Sequence, residues 1–145
     1  MATNRVLASV AIGATVLLSA GIASGQSGET FKGRLSAVPV DAVTARTTTG
    51  SGTITAVLEG NKLTINGKFE SMNSPATVAH VHLAPRGLRG PNVFNLTVTR
   101  AASGTIEGSI TLTGGQVDQL KRGFYYVQVH TEKNPEGQLR GWLLK

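Results

Sequence analysis

The chain has 145 residues, 40% of them hydrophobic and 15% charged, so it holds one ordinary domain and is no disordered polyelectrolyte. It contains no cysteine, which excludes disulfides, thiol catalysis and thiolate metal sites. The formal net charge of +6 is scattered, with no basic run longer than Lys121-Arg122, and this argues against nucleic acid as a partner.

The N-terminal stretch reads as a leader. Arg5 precedes an uncharged run, Val6 to Ala23, and small residues gather at Ala20, Gly21, Ala23, Ser24 and Gly25. A basic start, an apolar run and a small-residue exit predict a secretory signal peptide over residues 1–25, cut after Ala23 or Gly25. An uncleaved anchor is the rival reading, because the run approaches a spanning length; its richness in Ala, Gly and Ser favours cleavage. No cysteine follows for lipid attachment. The mature domain, residues 26–145, is then periplasmic or secreted, with a charge near +5 and no membrane association after cleavage.

From Glu29 onward, runs rich in Val, Ile, Thr and aromatics alternate with turn residues. Phe31 to Leu35 is a first strand, followed by an irregular crossing, Ser36 to Thr49. Gly52 to Leu58 and Lys62 to Glu70 flank Glu59-Gly60-Asn61 and form a hairpin. Thr77 to Leu83 is a fourth strand, and Ala84 to Asn92, with two prolines and two glycines, is a loop. Val93 to Thr99 and Thr105 to Thr113 form a second hairpin. Gln116 to Lys121, closed by Gly123, fits one short helix. Phe124 to Thr131 and Gln138 to Leu144 are the last strands, joined over Asn134-Pro135-Glu136-Gly137. About eight short strands without a long helix predict an all-β, antiparallel Greek-key sandwich or barrel.

Side-chain alternation then assigns faces. Ala79, Val81 and Leu83 oppose Val78, His80 and His82. Tyr125, Val127 and Val129 oppose Phe124, Tyr126, Gln128 and His130. Leu139, Gly141 and Leu143 oppose Gln138, Arg140 and Trp142. With the aliphatic faces inward, the core includes Ile54, Leu63, Ile65, Ala79, Val81, Leu83, Ile110, Leu112, Val127, Val129, Leu139 and Leu143. On this reading Val129→Asp prevents folding, whereas Gln128→Asp is mild.

Two segments carry a resemblance. AHVHLAPRGLRGPNV at 79–93 has a His-x-His followed by a Pro/Gly-rich loop: His80, His82, Pro85, Gly87, Gly90 and Pro91. LKRGFYYVQVHTEKNPEGQLRGWL at 120–143 has Tyr126-Val127-x-Val129-His130-Thr131 and then Gly137-x-x-Arg140-Gly141. Together they resemble the CHRD domain, named after chordin and common in exported bacterial proteins, over essentially Thr30 to Lys145. Gln138-Leu139 stands where many members have Glu-Ile, and Leu83 where glycine is common. The resemblance implies a β-rich extracytoplasmic domain and no agreed enzymatic activity.

The three histidines of the chain all fall in these segments. His80 and His82 share a face about 6.6 Å apart along their strand, and His130 joins them if its strand passes nearby. Neutral imidazoles suit Cu or Zn, and a three-His set leaves a position open. The alternative is structural: the rings hydrogen-bond loop backbone and lock the 84–92 loop against the 132–137 turn. A His-x-His in a middle strand plus a late His also resembles the copper-ligand layout of copper/zinc superoxide dismutases. Those enzymes add a bridging His, further zinc ligands and a disulfide, so three histidines and no cysteine exclude a bimetallic site.

Arg140, Tyr126 and Trp142 share the outward parity and form a candidate rim. Arg140 has Glu132 or Glu136 as possible ion-pair partners, or an anion beside a metal; Tyr126 and Trp142 are expected beneath the 36–49 crossing. Paired carboxylates, a nucleophile elbow and a phosphate-binding Gly loop are all missing. Two functions follow: a non-catalytic exported module binding a protein, a glycan or an ion, and, as the alternative, a copper-dependent enzyme of dismutase type.

Overall fold

A computed structural model describes residues 27–38 and 41–145; the leader expected at 1–25 lies outside them. Eight strands follow in order: β1 (Glu29–Ala37), β2 (Ser51–Glu59), β3 (Lys62–Glu70), β4 (Ala76–Leu83), β5 (Asn92–Val98), β6 (Gly104–Thr111), β7 (Tyr125–Thr131) and β8 (Leu139–Trp142). They close into one antiparallel barrel in the order β1-β2-β3-β6-β5-β4-β7-β8. Strands β4, β5 and β6 form a meander, and β7 returns beside β4, which is a Greek key. Closure leaves no unpaired sheet edge.

Local chemistry sets the elements. The β2–β3 turn is centred on Gly60 and Asn61, and Gly60 takes a left-handed φ of 62°, as a two-residue hairpin requires. The short helix α1 spans Gly114–Lys121. The Thr113 hydroxyl accepts from the Gln116 amide while the Gln116 side chain caps back onto Thr113, so two free amides of its first turn are satisfied. Among its described residues, the crossing between β1 and β2 carries a single 3-10 turn, Thr44–Arg46.

The barrel interior is the core. Phe31, Leu35, Ile54, Leu63, Ile65, Val81, Ile106, Val127, Val129, Leu139 and Leu143 are at most 1% exposed. Ten of the twelve residues expected inward are buried. Leu83 and Ile110 are only partly buried, because each lies near the end of its strand, where the barrel opens.

The parity assignment holds through an irregularity. The β4–β5 register shifts between Val81 and His82, whereas β4 pairs with β7 without a break from Val78 to Leu83. His80 and His82 therefore stay on one face. The expectation that Gln128 tolerates change is corrected. It points away from the core, yet it is 6% exposed, because the turn after β7 folds over it and its Nε2 donates to the Glu136 carbonyl at 2.6 Å.

Candidate metal centre

Three strands supply the outward face. In register, His82 pairs with Tyr126 and Tyr126 with Trp142; His80 pairs with Gln128 and Gln128 with Arg140; Val78 pairs with His130. His130 thus lies one side-chain row from His80 and two from His82, and the side chains lean together. Ring centroids are 5.0 Å apart for His80–His130, and 5.8 Å for both His80–His82 and His82–His130. One nitrogen from each ring lies within 4.8 Å of the other two.

The hydrogen bonds fix which nitrogen is free. His82 Nδ1 lies 2.9 Å from the Gly90 carbonyl, and His130 Nδ1 lies 2.8 Å from the Pro135 carbonyl. A carbonyl only accepts, so both rings carry their proton on Nδ1. Nε2 is then a lone pair, and on both residues it is buried with no partner. The structural role expected of the histidines is present, since His82 holds the 84–91 loop and His130 the 132–137 turn. That role uses only one side of each ring. A backbone carbonyl orienting one nitrogen while the other stays free is the outer-shell pattern of histidines that ligate metals.

Burial and neighbouring groups favour the neutral form of the His80 and His82 rings. Burial holds the His80 ring below its ordinary pKa, reinforced by His130 and His82. Burial does the same at His82; the Gly90 hydrogen bond opposes it, and His130 and Arg140 add to it. A neutral imidazole is the form that can ligate a metal.

The rim residues are brought to this face, but not as expected. Tyr126 is 1% exposed and forms a wall, its ring stacked on His82 at 4.9 Å and 12°. Its hydroxyl accepts from the Gly90 amide at 3.1 Å. Trp142 lies 4.9 Å from Tyr126 and donates from Nε1 to the Ala84 carbonyl. Their cover is therefore the 84–91 loop. The 36–49 crossing instead meets Asn73, Asn134 and Gln138 through the Thr47 and Thr49 carbonyls. Arg140 pairs with neither acid proposed for it. Its guanidinium lies over Trp142 at 4.8 Å and Tyr126 at 5.6 Å, and Glu136 approaches Arg89 instead, at 3.9 Å.

Residues 34–143 match the family model described as the CHRD domain. The chain belongs to the CHRD-domain family. No curated protein and no solved structure matches it. In this CHRD domain the two signature segments lie side by side as β4 and β7, with the Pro/Gly loop and the Gly137 turn folded over their shared outer face.

Three supporting residues were given no role by the sequence. At Gly90 a methyl group would overlap the Leu83 carbonyl, so only glycine lets the loop come close enough to reach His82. Gly137 has a φ of +119°, and a methyl group there would strike Gln128. Gln138 is fully buried: Oε1 accepts from Thr131 and Asn134 at 2.9 Å each, and Nε2 donates to Thr49 and Asn73 at 2.6 Å each. The signal for the glycines was their place in the motif; for Gln138 no local signal existed. A surface hollow of about 630 Å³ lies on β1, β2, β3 and β6 among Arg34, Thr53, Lys68, Glu70 and Thr105. It holds no histidine.

Proposed function

We propose that the protein is an exported, non-catalytic binding module whose three-histidine face takes up one copper or zinc ion. The observation that carries this reading is the pair of buried, unpartnered Nε2 atoms of His82 and His130. An unsatisfied buried polar atom costs about 1–3 kcal/mol, and converging imidazole lone pairs suit Cu or Zn. His80, His82 and His130 would hold the ion and leave a position for a further ligand. Export is supported by the leader read at 1–25. Among the described residues no helix is long and apolar enough to cross a membrane. A protein or glycan of the envelope or extracellular space is the macromolecular partner proposed for such a module.

The test is calorimetric titration of tag-free protein with Cu²⁺ and Zn²⁺, read in parallel by fluorescence. Trp142 is the chain's one tryptophan and reaches His82 through Tyr126, so bound Cu²⁺ quenches its emission. Expected is one ion per chain with a Kd below about 1 μM, lost in His82→Ala and His130→Ala. Binding no tighter than about millimolar for Cu²⁺, for Zn²⁺ and, under ascorbate, for Cu⁺, or variants equal to wild type, returns the histidines to loop anchoring alone. The dismutase-type reading draws on the same nitrogens outside a Greek-key barrel, and superoxide removal by copper-loaded protein decides it.

A further inference from the structure

The donor set on this face is neutral. Among the described residues no carboxylate joins His80, His82 and His130 within reach of one ion. The fixed charge beside them is a cation. Arg140 is wedged over Trp142 and Tyr126, and Tyr126 stacks on His82. Among the described residues no carboxylate pairs with Arg140; the ion pairs found are Arg89–Glu136, Lys121–Glu29 and Lys145–Glu29. His80, Gln128 and Arg140 form one row across β4, β7 and β8, which puts the Arg140 backbone about 10 Å from that of His80.

A fixed positive charge raises the free energy of a doubly charged ion twice as much as that of a singly charged one. Partial burial strengthens the effect, since charges in a protein interact at an effective dielectric far below that of water. Imidazole accepts both copper and zinc, with Cu²⁺ ahead of Zn²⁺; with no anionic ligand in the set, the neighbouring cation weakens binding of either doubly charged ion relative to Cu⁺.

We propose that the three-histidine face is a copper(I) site, and that Arg140 is the residue that discriminates against copper(II) and zinc(II). The proposal rests on the metal-binding reading above and adds the ion and its oxidation state. The change of state takes one electron, Cu²⁺ to Cu⁺, from an external one-electron reductant, and no bond to the histidines need break. By the thermodynamic cycle, every tenfold change in the ratio of Cu⁺ to Cu²⁺ affinity moves the copper potential by about 59 mV.

A charge series at position 140 tests this. Cu⁺ affinity is measured under ascorbate by competition with a chromophoric Cu⁺ chelator. Cu²⁺ and Zn²⁺ affinities come from competition with an aminocarboxylate, and the potential of the copper-loaded protein from spectroelectrochemistry. Wild type is expected to hold Cu⁺ at least about tenfold more tightly than Zn²⁺. The Cu⁺/Cu²⁺ affinity ratio should fall on the order of tenfold in Arg140→Gln and again in Arg140→Glu, as each step removes one unit of positive charge beside the ion. Arg140→Lys, which keeps the charge, should retain the wild-type ratio and serves if the other variants melt without cooperativity. A ratio in Arg140→Glu within about twofold of wild type overturns the proposal, as does a Lys variant that behaves like Gln, or tighter binding of Zn²⁺ than of Cu⁺. Those outcomes leave metal binding standing. A wild type that binds no ion removes both readings together.

Discussion

Gly90→Ala probes the link between the loop and the histidines. The new methyl group meets the Leu83 carbonyl, so the 84–91 loop must move outward. Three hydrogen bonds converge where it leaves: Gly90 amide to Tyr126 hydroxyl at 3.1 Å, His82 Nδ1 to Gly90 carbonyl at 2.9 Å, and Leu83 amide to Pro91 carbonyl at 3.1 Å. At about 1 kcal/mol net for each, with a further penalty for groups left buried and unpaired, the loss is about 2–4 kcal/mol. For a domain of this length that lowers Tm by roughly 8–16 °C, read by circular dichroism of metal-free protein. Gly87→Ala is the control. It lies on the same loop with open space around it, and only its left-handed φ of +90° opposes the change, at about 1–2 kcal/mol. Freeing the His82 ring from its carbonyl should also weaken metal binding by about 10- to 100-fold, the usual size of an outer-shell effect. A Gly90→Ala protein melting within about 2 °C of wild type refutes the close approach as the anchor. A destabilised variant with unchanged metal affinity refutes the claim that the loop orients His82.

Other outcomes follow from the same contacts. Val129→Asp buries a carboxylate among the core side chains and should abolish the cooperative urea transition; Gln128→Ala, which orphans the Glu136 carbonyl, should cost about 1–3 kcal/mol in the same assay. Gln138→Ala strips four hydrogen bonds from a fully buried amide and should cost about 3–5 kcal/mol; a loss below about 1 kcal/mol would mean that the amide does not tie the crossing to the last turn. Metal-free protein should weaken in acid. His80 and His82 have folded pKa values held below the ordinary one by burial, so the unfolded chain takes up protons first. Their contribution is complete above about pH 6.5 and is lost as pH falls through the folded values. The urea midpoint should therefore drop between about pH 7 and pH 5, less so in His80→Gln/His82→Gln, and a midpoint that rises on acidification contradicts the assignment.

Much of this was legible from residue order. Period-two alternation fixed the faces of β4, β7 and β8, and it survived the register shift at Val81/His82 because the β4–β7 pairing is unbroken there. It could not tell which outward residues stay exposed. Tyr126 and Gln128 point away from the core and are buried all the same, because a loop and a turn fold back over that face. Parity reports direction, and cover depends on which loops and turns fold back over the face.

Composition, the two motif segments and strand periodicity determined by themselves the all-β class, the family resemblance, and the outward parity of all three histidines. Those are properties of local spacing, which a strand transmits directly to the direction of its side chains. Only the tertiary structure decided that His130 meets His80 and His82, that each of His82 and His130 spends Nδ1 on a backbone carbonyl, and that Arg140 lies over aromatic rings rather than beside an acid. The first depends on strand register, which brings residues about 50 positions apart in the chain within reach of one another; the others depend on how the 84–91 loop, the 132–137 turn and β8 settle against that face. Local sequence spacing carries no term for that distance.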